Sequence, residues 1–186
     1  MNIIAITGLK RSGKDLLANH IAKSGEYKHV KISQKLKTLV KTTFNLENDD
    51  IESSKKDVVN PTIGVTPRRL MDFFGTQVFQ YDLNNIMPHV GRKFWIKDLL
   101  SRYENQHIVI SDLRFKHEIE EIKKHRCVII RINRNLIVDN NYVSETEIND
   151  LVVDHEILND TTIKEFINKY ERINSNDSLS INTHII

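Results

Sequence analysis

The segment at residues 8–15, which reads Gly-Leu-Lys-Arg-Ser-Gly-Lys-Asp, constrains this chain more than any other. It follows an apolar run at residues 3–6 and precedes a helical pattern at residues 16–21. A Gly-x-x-x-x-Gly-Lys spacing between a strand and a helix is the Walker A pattern, in which backbone N–H groups surround phosphates. The segment predicts an α/β chain that binds a nucleoside triphosphate, with Lys14 bridging the β- and γ-phosphates.

Asp15 occupies the position where this pattern normally offers a Ser or Thr hydroxyl to Mg²⁺. A carboxylate repels a triphosphate unless cations intervene, and Lys10, Arg11 and Lys14 supply three positive charges nearby. We interpret Asp15 either as a Mg²⁺ ligand or as an acid that favours the positive helix terminus. Lys10 and Arg11 indicate either a second phosphate group besides those of ATP or a solvated basic pair.

The composition limits the class of protein. The chain has 186 residues, 39% hydrophobic and 28% charged, with a net charge of +2, which is typical of one soluble domain. This charge gives no electrostatic reason to expect nucleic-acid or membrane binding. The one cysteine, Cys127, is interpreted as a buried core thiol in a reducing compartment. We predict no signal peptide and no membrane span, and hence a cytoplasmic location. The frequent Asn, Ile and Lys residues suggest an AT-rich genome; if that genome is viral, the location is the host cytoplasm.

Short apolar strands alternate with helical patterns. We predict strands at 3–7, 29–32, 108–110, 128–132 and 157–158, and helices at 14–23, 34–44, 66–81, 92–104, 116–125 and 162–172. We expect a loop or short insertion at 45–64, a long polar loop acting as a lid at 133–150, and a loosely ordered tail at 174–186. The alternation predicts a single domain over residues 1–173, with a parallel sheet covered by helices on both faces.

The predicted strand at 108–110 leads into Ser111 and Asp112, which is a Walker B pattern. At the carboxyl end of the sheet, Asp112 would hold Mg²⁺ or orient the nucleophilic oxygen of an acceptor. The alternative is a helix N-cap. Arg114, two residues on, suits a two-pronged contact with phosphate.

Other candidates lie on the predicted helices and beside the lid. Arg68 and Arg69 follow a Thr-Pro helix start and indicate either a phosphate contact or a solvated face. Trp95 is either a core residue or a plate on which a base stacks. Arg131 and Arg134 flank the lid, where an Arg can stabilise charge on a transferring phosphoryl group, although Arg131 fits an ordinary strand position equally well.

Taken in order, these segments resemble the phage-type deoxynucleoside monophosphate kinases. The resemblance covers roughly residues 1–170, and it is carried by residues 8–15, Thr-Pro-Arg-Arg-Leu-Met at 66–71, Phe-Gly-Thr at 74–76, Trp95, Ile-Ser-Asp-Leu-Arg-Phe at 110–115 with Glu118, Ile-Arg-Ile-Asn-Arg at 130–134, and Ser-Glu at 144–145. It implies a three-layer P-loop fold of the nucleoside monophosphate kinase type, with five parallel strands in the order 2-3-1-4-5. The implied reaction transfers the γ-phosphate of ATP, with Mg²⁺, to a deoxynucleoside 5′-monophosphate, giving a diphosphate and ADP.

The resemblance also assigns site residues by position. The ATP-binding loop matches at Arg11, Gly13, Lys14, Asp15 and Leu16, to which we add Ser12 and the lid residue Arg134. The acceptor site matches at Lys10, Leu36, Lys37, Arg69, Gly75, Thr76, Trp95, Asp112 and Arg114, to which we add Arg68. The catalytic set is then Lys14, Asp112 and Arg114, and the metal ligands are Asp15 and Asp112.

Two departures from the family pattern concern the lid and its surroundings. Residues 116–118 read Lys-His-Glu where similar proteins usually have Pro-Asn-Glu, and the His that often precedes Ser-Glu is missing near 144–145. Phosphomevalonate kinase, which shares the loop pattern, is the alternative reading, together with a P-loop ATPase or switch that is not a kinase. The expected partners are ATP and a nucleotide acceptor, and the sequence leaves open whether the chain forms a homodimer.

Overall fold

The computed structural model describes residues 1–134 and 147–176. The described residues form two compact units, one made of residues 1–30 with those from 105 onward, and the other of residues 31–104. The assignment of residues 1–173 to a single domain stays a prediction. Most of the predicted lid and the Ser-Glu pair at 144–145 lie outside the described residues.

The first unit is built on a five-stranded sheet. Its strands are β1 (Asn2–Thr7), β2 (Lys28–Val30), β3 (Ile108–Ile110), β4 (Arg126–Asn133) and β5 (His155–Leu158). The strand order is β2-β3-β1-β4-β5, and every neighbouring pair is parallel. The predicted fold class and strand order are therefore confirmed.

The described residues also contain seven α-helices. They are α1 (Lys14–Ala22), α2 (Gln34–Thr43), α3 (Asn48–Glu52), α4 (Pro67–Asp72), α5 (Phe94–Arg102), α6 (Lys116–Ile122) and α7 (Ile163–Asn176). A π-helix covers Phe73–Tyr81, and 3₁₀ turns cover Ser54–Asp57, Asp82–Asn85, Gly91–Lys93 and Glu147–Asp150.

The core of the first unit lies against the central strands. All residues of β1 after Asn2 are buried, so both faces of this strand are covered, as expected in a parallel sheet. On one face, α1 contributes Leu17 and α7 contributes Phe166, both with no exposed surface. Cys127, at the start of β4, is only half-buried, and burial raises the pKa of its thiol.

The second unit shows two differences from the predicted elements. Residues 45–64 include α3 and a 3₁₀ turn, because Asp50 accepts a hydrogen bond from the Glu47 amide and Ile51 packs in a small core with Val40. The predicted 66–81 helix is continuous but changes to π geometry at Phe73, which a 3.6-residue period does not distinguish from an α-helix. Its predicted start is confirmed, since the Thr66 hydroxyl accepts from the Arg69 amide and Pro67 occupies the first turn.

The helix ends show two further features. Ser33 stands at the N-cap position of α2 but makes no capping hydrogen bond with its side chain. The helix α7 extends to Asn176, past the predicted start of the tail at Asn174. Ser175 donates from its hydroxyl to the Glu171 carbonyl, so this polar segment continues the helix rather than leaving it.

Candidate active site

The phosphate loop (residues 8–15) connects β1 to α1, as predicted. Gly8 and Gly13 have φ angles of 137° and 110°, which residues other than glycine rarely adopt. A Cβ on Gly8 would overlap the Ile132 carbonyl oxygen, and one on Gly13 would lie 2.6 Å from Asn159 Nδ2. Both glycines of the pattern are therefore required by the backbone shape and by close neighbours.

Neighbouring segments of the first unit hold the phosphate loop in place. The buried Asn159, just after β5, donates from Nδ2 to the Ser12 carbonyl at 2.7 Å. Arg134, just after β4, donates from Nη1 to the Arg11 carbonyl at 3.2 Å, and Arg11 itself has a φ of 65°. Sequence reasoning missed Asn159, and its only signal was its place at the carboxyl end of a predicted strand.

The Lys14 ammonium lies inside the loop. Its Nζ donates to the Gly8 carbonyl at 2.7 Å and to the Leu9 carbonyl at 2.6 Å. The buried hydroxyl oxygens Ser12 Oγ and Thr7 Oγ1 have no hydrogen-bond partner within the described part of the chain. A fixed ammonium inside a loop of backbone N–H groups suits an oxygen-rich anion, so Lys14 and the loop fit the phosphates of ATP.

Asp15 lies in the first turn of α1 and accepts a hydrogen bond from Ser111 Oγ at 2.7 Å. Its side chain is 58% exposed, so a cation can approach it. Within the described residues, no cluster of three or more His, Cys, Asp or Glu could hold a metal alone. Mg²⁺ in kinases is commonly held by one or two carboxylates together with phosphates and water, so an exposed Asp15 fits this role.

Asp112 lies where the Walker B pattern predicted, directly beyond β3, which is the sheet neighbour of β1. The N-cap residue of α6 is Phe115, so the alternative of an N-cap role for Asp112 is wrong. Because parallel strands end at the same edge of the sheet, Asp112 and Arg114 belong to the same edge as the phosphate loop.

Glu118 fixes the backbone that carries Asp112 and Arg114. Its Oε2 accepts from the Arg114 amide at 2.8 Å and from the Phe115 amide at 3.0 Å. Burial raises the pKa of the Glu118 carboxyl from 4.5 to about 7. The two amide donors and Arg114 oppose this rise, and the charge of Asp112 adds to it. Glu118 matched the family pattern without an assigned role. The two amide contacts indicate that its role is to hold the backbone at Arg114 and Phe115.

A cavity of about 220 Å³ opens beside the start of the phosphate loop. It is lined by Gly8, Leu9, Arg131, Ile132, Asn133, Arg134, Ile148 and Asn149. The Arg131 guanidinium contacts Glu156 Oε1 at 2.7 Å and donates to the carbonyls of Ile148, Asn149 and Leu151. These contacts support the reading of Arg131 as a strand residue that holds a turn, and leave Arg134 as the candidate for nucleotide contact.

The second unit contains most of the predicted acceptor residues. Arg68 forms a two-pronged ion pair with Asp57, and Lys37 Nζ lies 2.6 Å from Glu52 Oε2. Arg69 is exposed and has no side-chain partner among the residues that the structure describes. Of the adjacent arginines, Arg69 therefore has the guanidinium that is available for an anion.

Trp95 is a core residue of the second unit. It is 6% exposed, its Nε1 donates to the Gly75 carbonyl at 2.9 Å, and its ring centroid lies 4.5 Å from that of Phe79. A Cβ on Gly75 would lie 2.5 Å from Leu36 Cδ2. These contacts explain the glycine inside a helix and favour the core reading of Trp95 over a base-stacking plate.

The chain was then compared with known proteins. The family model described as "Deoxynucleotide monophosphate kinase" matches residues 47–170. A protein of Acanthamoeba polyphaga mimivirus named "Putative deoxynucleotide monophosphate kinase" is 28% identical over 162 residues, covering 81% of this chain and 84% of that protein.

Solved structures show similarity in fold alone. Shikimate kinase from Aquifex aeolicus has a TM-score of 0.51 at 13% identity, with 96% of this chain and 99% of that chain covered. Dephospho-CoA kinase from Campylobacter jejuni has a TM-score of 0.51 at 14% identity, with 97% and 98% covered. None of the described helices combines the length and the apolar character needed to cross a membrane.

Proposed function

Because the chain belongs to the deoxynucleotide monophosphate kinase family, we propose that it transfers the γ-phosphate of ATP to a deoxynucleoside 5′-monophosphate, producing a diphosphate and ADP. The single structural observation that carries the proposal is the Lys14 ammonium, held at 2.6 and 2.7 Å from two carbonyls of the phosphate loop. A lysine in this position suits a donor phosphate chain.

The donor half of the mechanism rests on charge and positioning. Backbone N–H groups of the phosphate loop and the positive end of α1 would bind the β-phosphate, and Lys14 would bridge it to the γ-phosphate. Mg²⁺, when bound with ATP, supplies further neutralisation of the phosphates, and Asp15 and Asp112 would hold it. Arg134 would contact ATP from the mouth of the adjoining cavity.

The acceptor half rests on three cationic side chains, of which two are exposed. Lys10 is exposed without a side-chain partner in the described chain, as is Arg69. We assign these two side chains and Arg114 to the acceptor phosphate, and Asp112 to its attacking oxygen as an alternative to a metal contact. Positioning of two anions in line, rather than covalent chemistry, would then account for the rate.

An acceptor panel tests this function. ADP release should be stimulated by at least one of dAMP, dGMP, dCMP and dTMP, with phosphomevalonate as a comparison. Stimulation by phosphomevalonate alone would establish the alternative kinase. ATP hydrolysis that no acceptor changes would instead establish an ATPase or switch and overturn the proposal.

The exposed Arg69 leads to a specific prediction. Arg69→Ala should raise the acceptor KM about 10- to 100-fold, because a charged hydrogen bond is worth roughly 1.5–3 kcal/mol, while the KM for ATP changes little. Arg68→Ala should have a smaller effect, since its guanidinium is paired with Asp57. Steady-state kinetics measure both.

The matched surface control is Arg102→Ala, which removes an exposed i,i+4 ion pair with Asp98 in the same unit. An acceptor KM that is unchanged in Arg69→Ala would show that the assignment of this helix to the acceptor is wrong. A larger effect of Arg68→Ala than of Arg69→Ala would reverse the choice between the two arginines.

A further inference from the structure

A hydrogen-bonded chain of side chains leads from β2 to Asp15. His29 lies on β2, Ser111 follows β3, and Asn19 and Asp15 are both on α1. His29 Nε2 lies 2.8 Å from Ser111 Oγ, and Ser111 Oγ lies 2.7 Å from Asp15 Oδ1. His29 Nδ1 lies 2.7 Å from Asn19 Oδ1. Three elements of the first unit are thus joined at the edge of the phosphate loop.

The protons that each group carries determine which group donates and which accepts in these hydrogen bonds. A hydroxyl has one proton, and an ionised carboxylate can only accept, so the Ser111 proton goes to Asp15. The Ser111 oxygen is then an acceptor, and its donor is the N–H at His29 Nε2. The Asn19 contact at Nδ1 fits this direction in either form of the ring: Nδ1–H of an imidazolium donates to the amide oxygen, and Nδ1 of a neutral ring accepts from the amide NH₂ group once the amide is turned over. His29 Nε2 is also 3.8 Å from Asp15 Oδ1, too far for a direct hydrogen bond. His29 therefore acts on Asp15 through Ser111.

The three side chains differ in burial: Ser111 and His29 lie inside the protein, and Asp15 is exposed to solvent. Ser111 is 1% exposed and the His29 side chain 18% exposed, whereas Asp15 is 58% exposed. Contacts at both ring nitrogens fix the orientation of the imidazole. One carboxylate oxygen of Asp15 is thus anchored from the protein interior, while its side chain stays accessible at the start of α1.

We propose that His29 and Ser111 are positioning residues that orient the Asp15 carboxylate toward the Mg²⁺ of the bound nucleotide. The proposal rests on the proposed function for its nucleotide and metal, and concerns only the donor half of the site. Without the Ser111 contact, the exposed carboxylate can rotate toward the phosphates, where it repels them instead of holding their counterion. Partners that orient a metal ligand commonly change metal affinity by about 10- to 100-fold when they are removed.

The test is equilibrium binding of ADP, measured by titration calorimetry with and without Mg²⁺. In the wild type, Mg²⁺ should strengthen ADP binding. In Ser111→Ala and His29→Phe, this Mg²⁺-dependent gain should fall about 10-fold or more, while the Kd of metal-free ADP stays within about twofold. His29→Gln, whose amide can donate from a position close to that of Nε2, should retain most of the gain.

The matched control is His20→Gln. His20 is on the same helix and also contacts a carboxylate, since its Nε2 lies 2.6 Å from Glu171 Oε1, but that carboxylate is on α7 and is not part of the phosphate loop. This variant should leave the gain unchanged. Ser111→Ala serves as the second variant if His29→Phe does not fold, as judged by thermal unfolding.

A readout without metal or nucleotide comes from NMR of the imidazole nitrogens. His29 Nε2 should carry a proton protected from exchange, and Ser111→Ala should remove that protection. Equal losses of ADP affinity with and without Mg²⁺, an unchanged gain in Ser111→Ala, or a His29 Nε2 without a proton would each overturn the proposal. ADP binding needs no acceptor, so a failed acceptor panel and a failed positioning role are distinguishable.

Discussion

Lys14→Ala should lower kcat for phosphoryl transfer by about 10²–10³-fold or more, the scale expected when one preorganised donor to a developing charge is removed. The ammonium is held by the Gly8 and Leu9 carbonyls and therefore lies inside the phosphate loop. An alanine at this position has no charge and is too short to contact the phosphates. Because the loop backbone is also held by Asn159 and Arg134, we expect the fold to persist.

Steady-state kinetics with the best acceptor, together with urea unfolding, measure this prediction. The matched control is Lys23→Ala, which removes an exposed lysine at the C-cap of the same helix and should leave kcat unchanged. Lys14→Arg tests the geometry, since a guanidinium keeps the charge but replaces a compact ammonium by a planar fork. A kcat for Lys14→Ala within tenfold of the wild type would contradict the assigned role.

Glu118 should make the free energy of unfolding decrease as the pH rises from about 4.5 to about 7. Its folded-state pKa is raised from 4.5 to about 7, mainly by burial, so the folded chain keeps a proton that the unfolded chain releases in this interval. The unfolded state therefore binds fewer protons, and stability falls with pH by about 3 kcal/mol in total. Below pH 4.5 both states are protonated and this contribution is fully present.

Glu118→Gln removes the titrating proton and keeps an oxygen that can accept from the Arg114 and Phe115 amides. The difference in unfolding free energy between the variant and the wild type should therefore grow in favour of the variant between pH 4.5 and 7. Urea unfolding at several pH values measures this difference, which cancels the titration of other groups. Glu104→Gln, at an exposed position, is the control. A difference that is independent of pH would contradict the raised pKa.

Local spacing was sufficient to predict the phosphate loop and its place between β1 and α1, because its parts are close in sequence. The phosphate loop, its two glycines and the placement of Lys14 follow from the order of one strand, one loop and one helix. The place of Asp112 at the edge of the sheet was predicted from the short strand before it, since the carboxyl ends of parallel strands lie at one edge.

Several features had no local signal. The run at 45–64 is polar, and its helix α3 depends on burial of Ile51 against residues of another segment. The π geometry from Phe73 onward occurs where Trp95, twenty positions later than Gly75, donates to the Gly75 carbonyl. Such partners lie too far along the chain for periodicity to reveal.

By itself, the sequence determined the phosphate loop, the parallel α/β class and the positions of the candidate cations, because loop geometry depends on neighbouring residues and strands that are connected through helices run parallel. Only the tertiary structure showed which of the candidate site residues already make contacts within the protein. Arg68 is paired with Asp57, Arg131 holds a turn, and Trp95 is core, whereas Arg69 is exposed. It also joined His29 to Ser111, 82 residues away, since only folding brings separate strands to one edge.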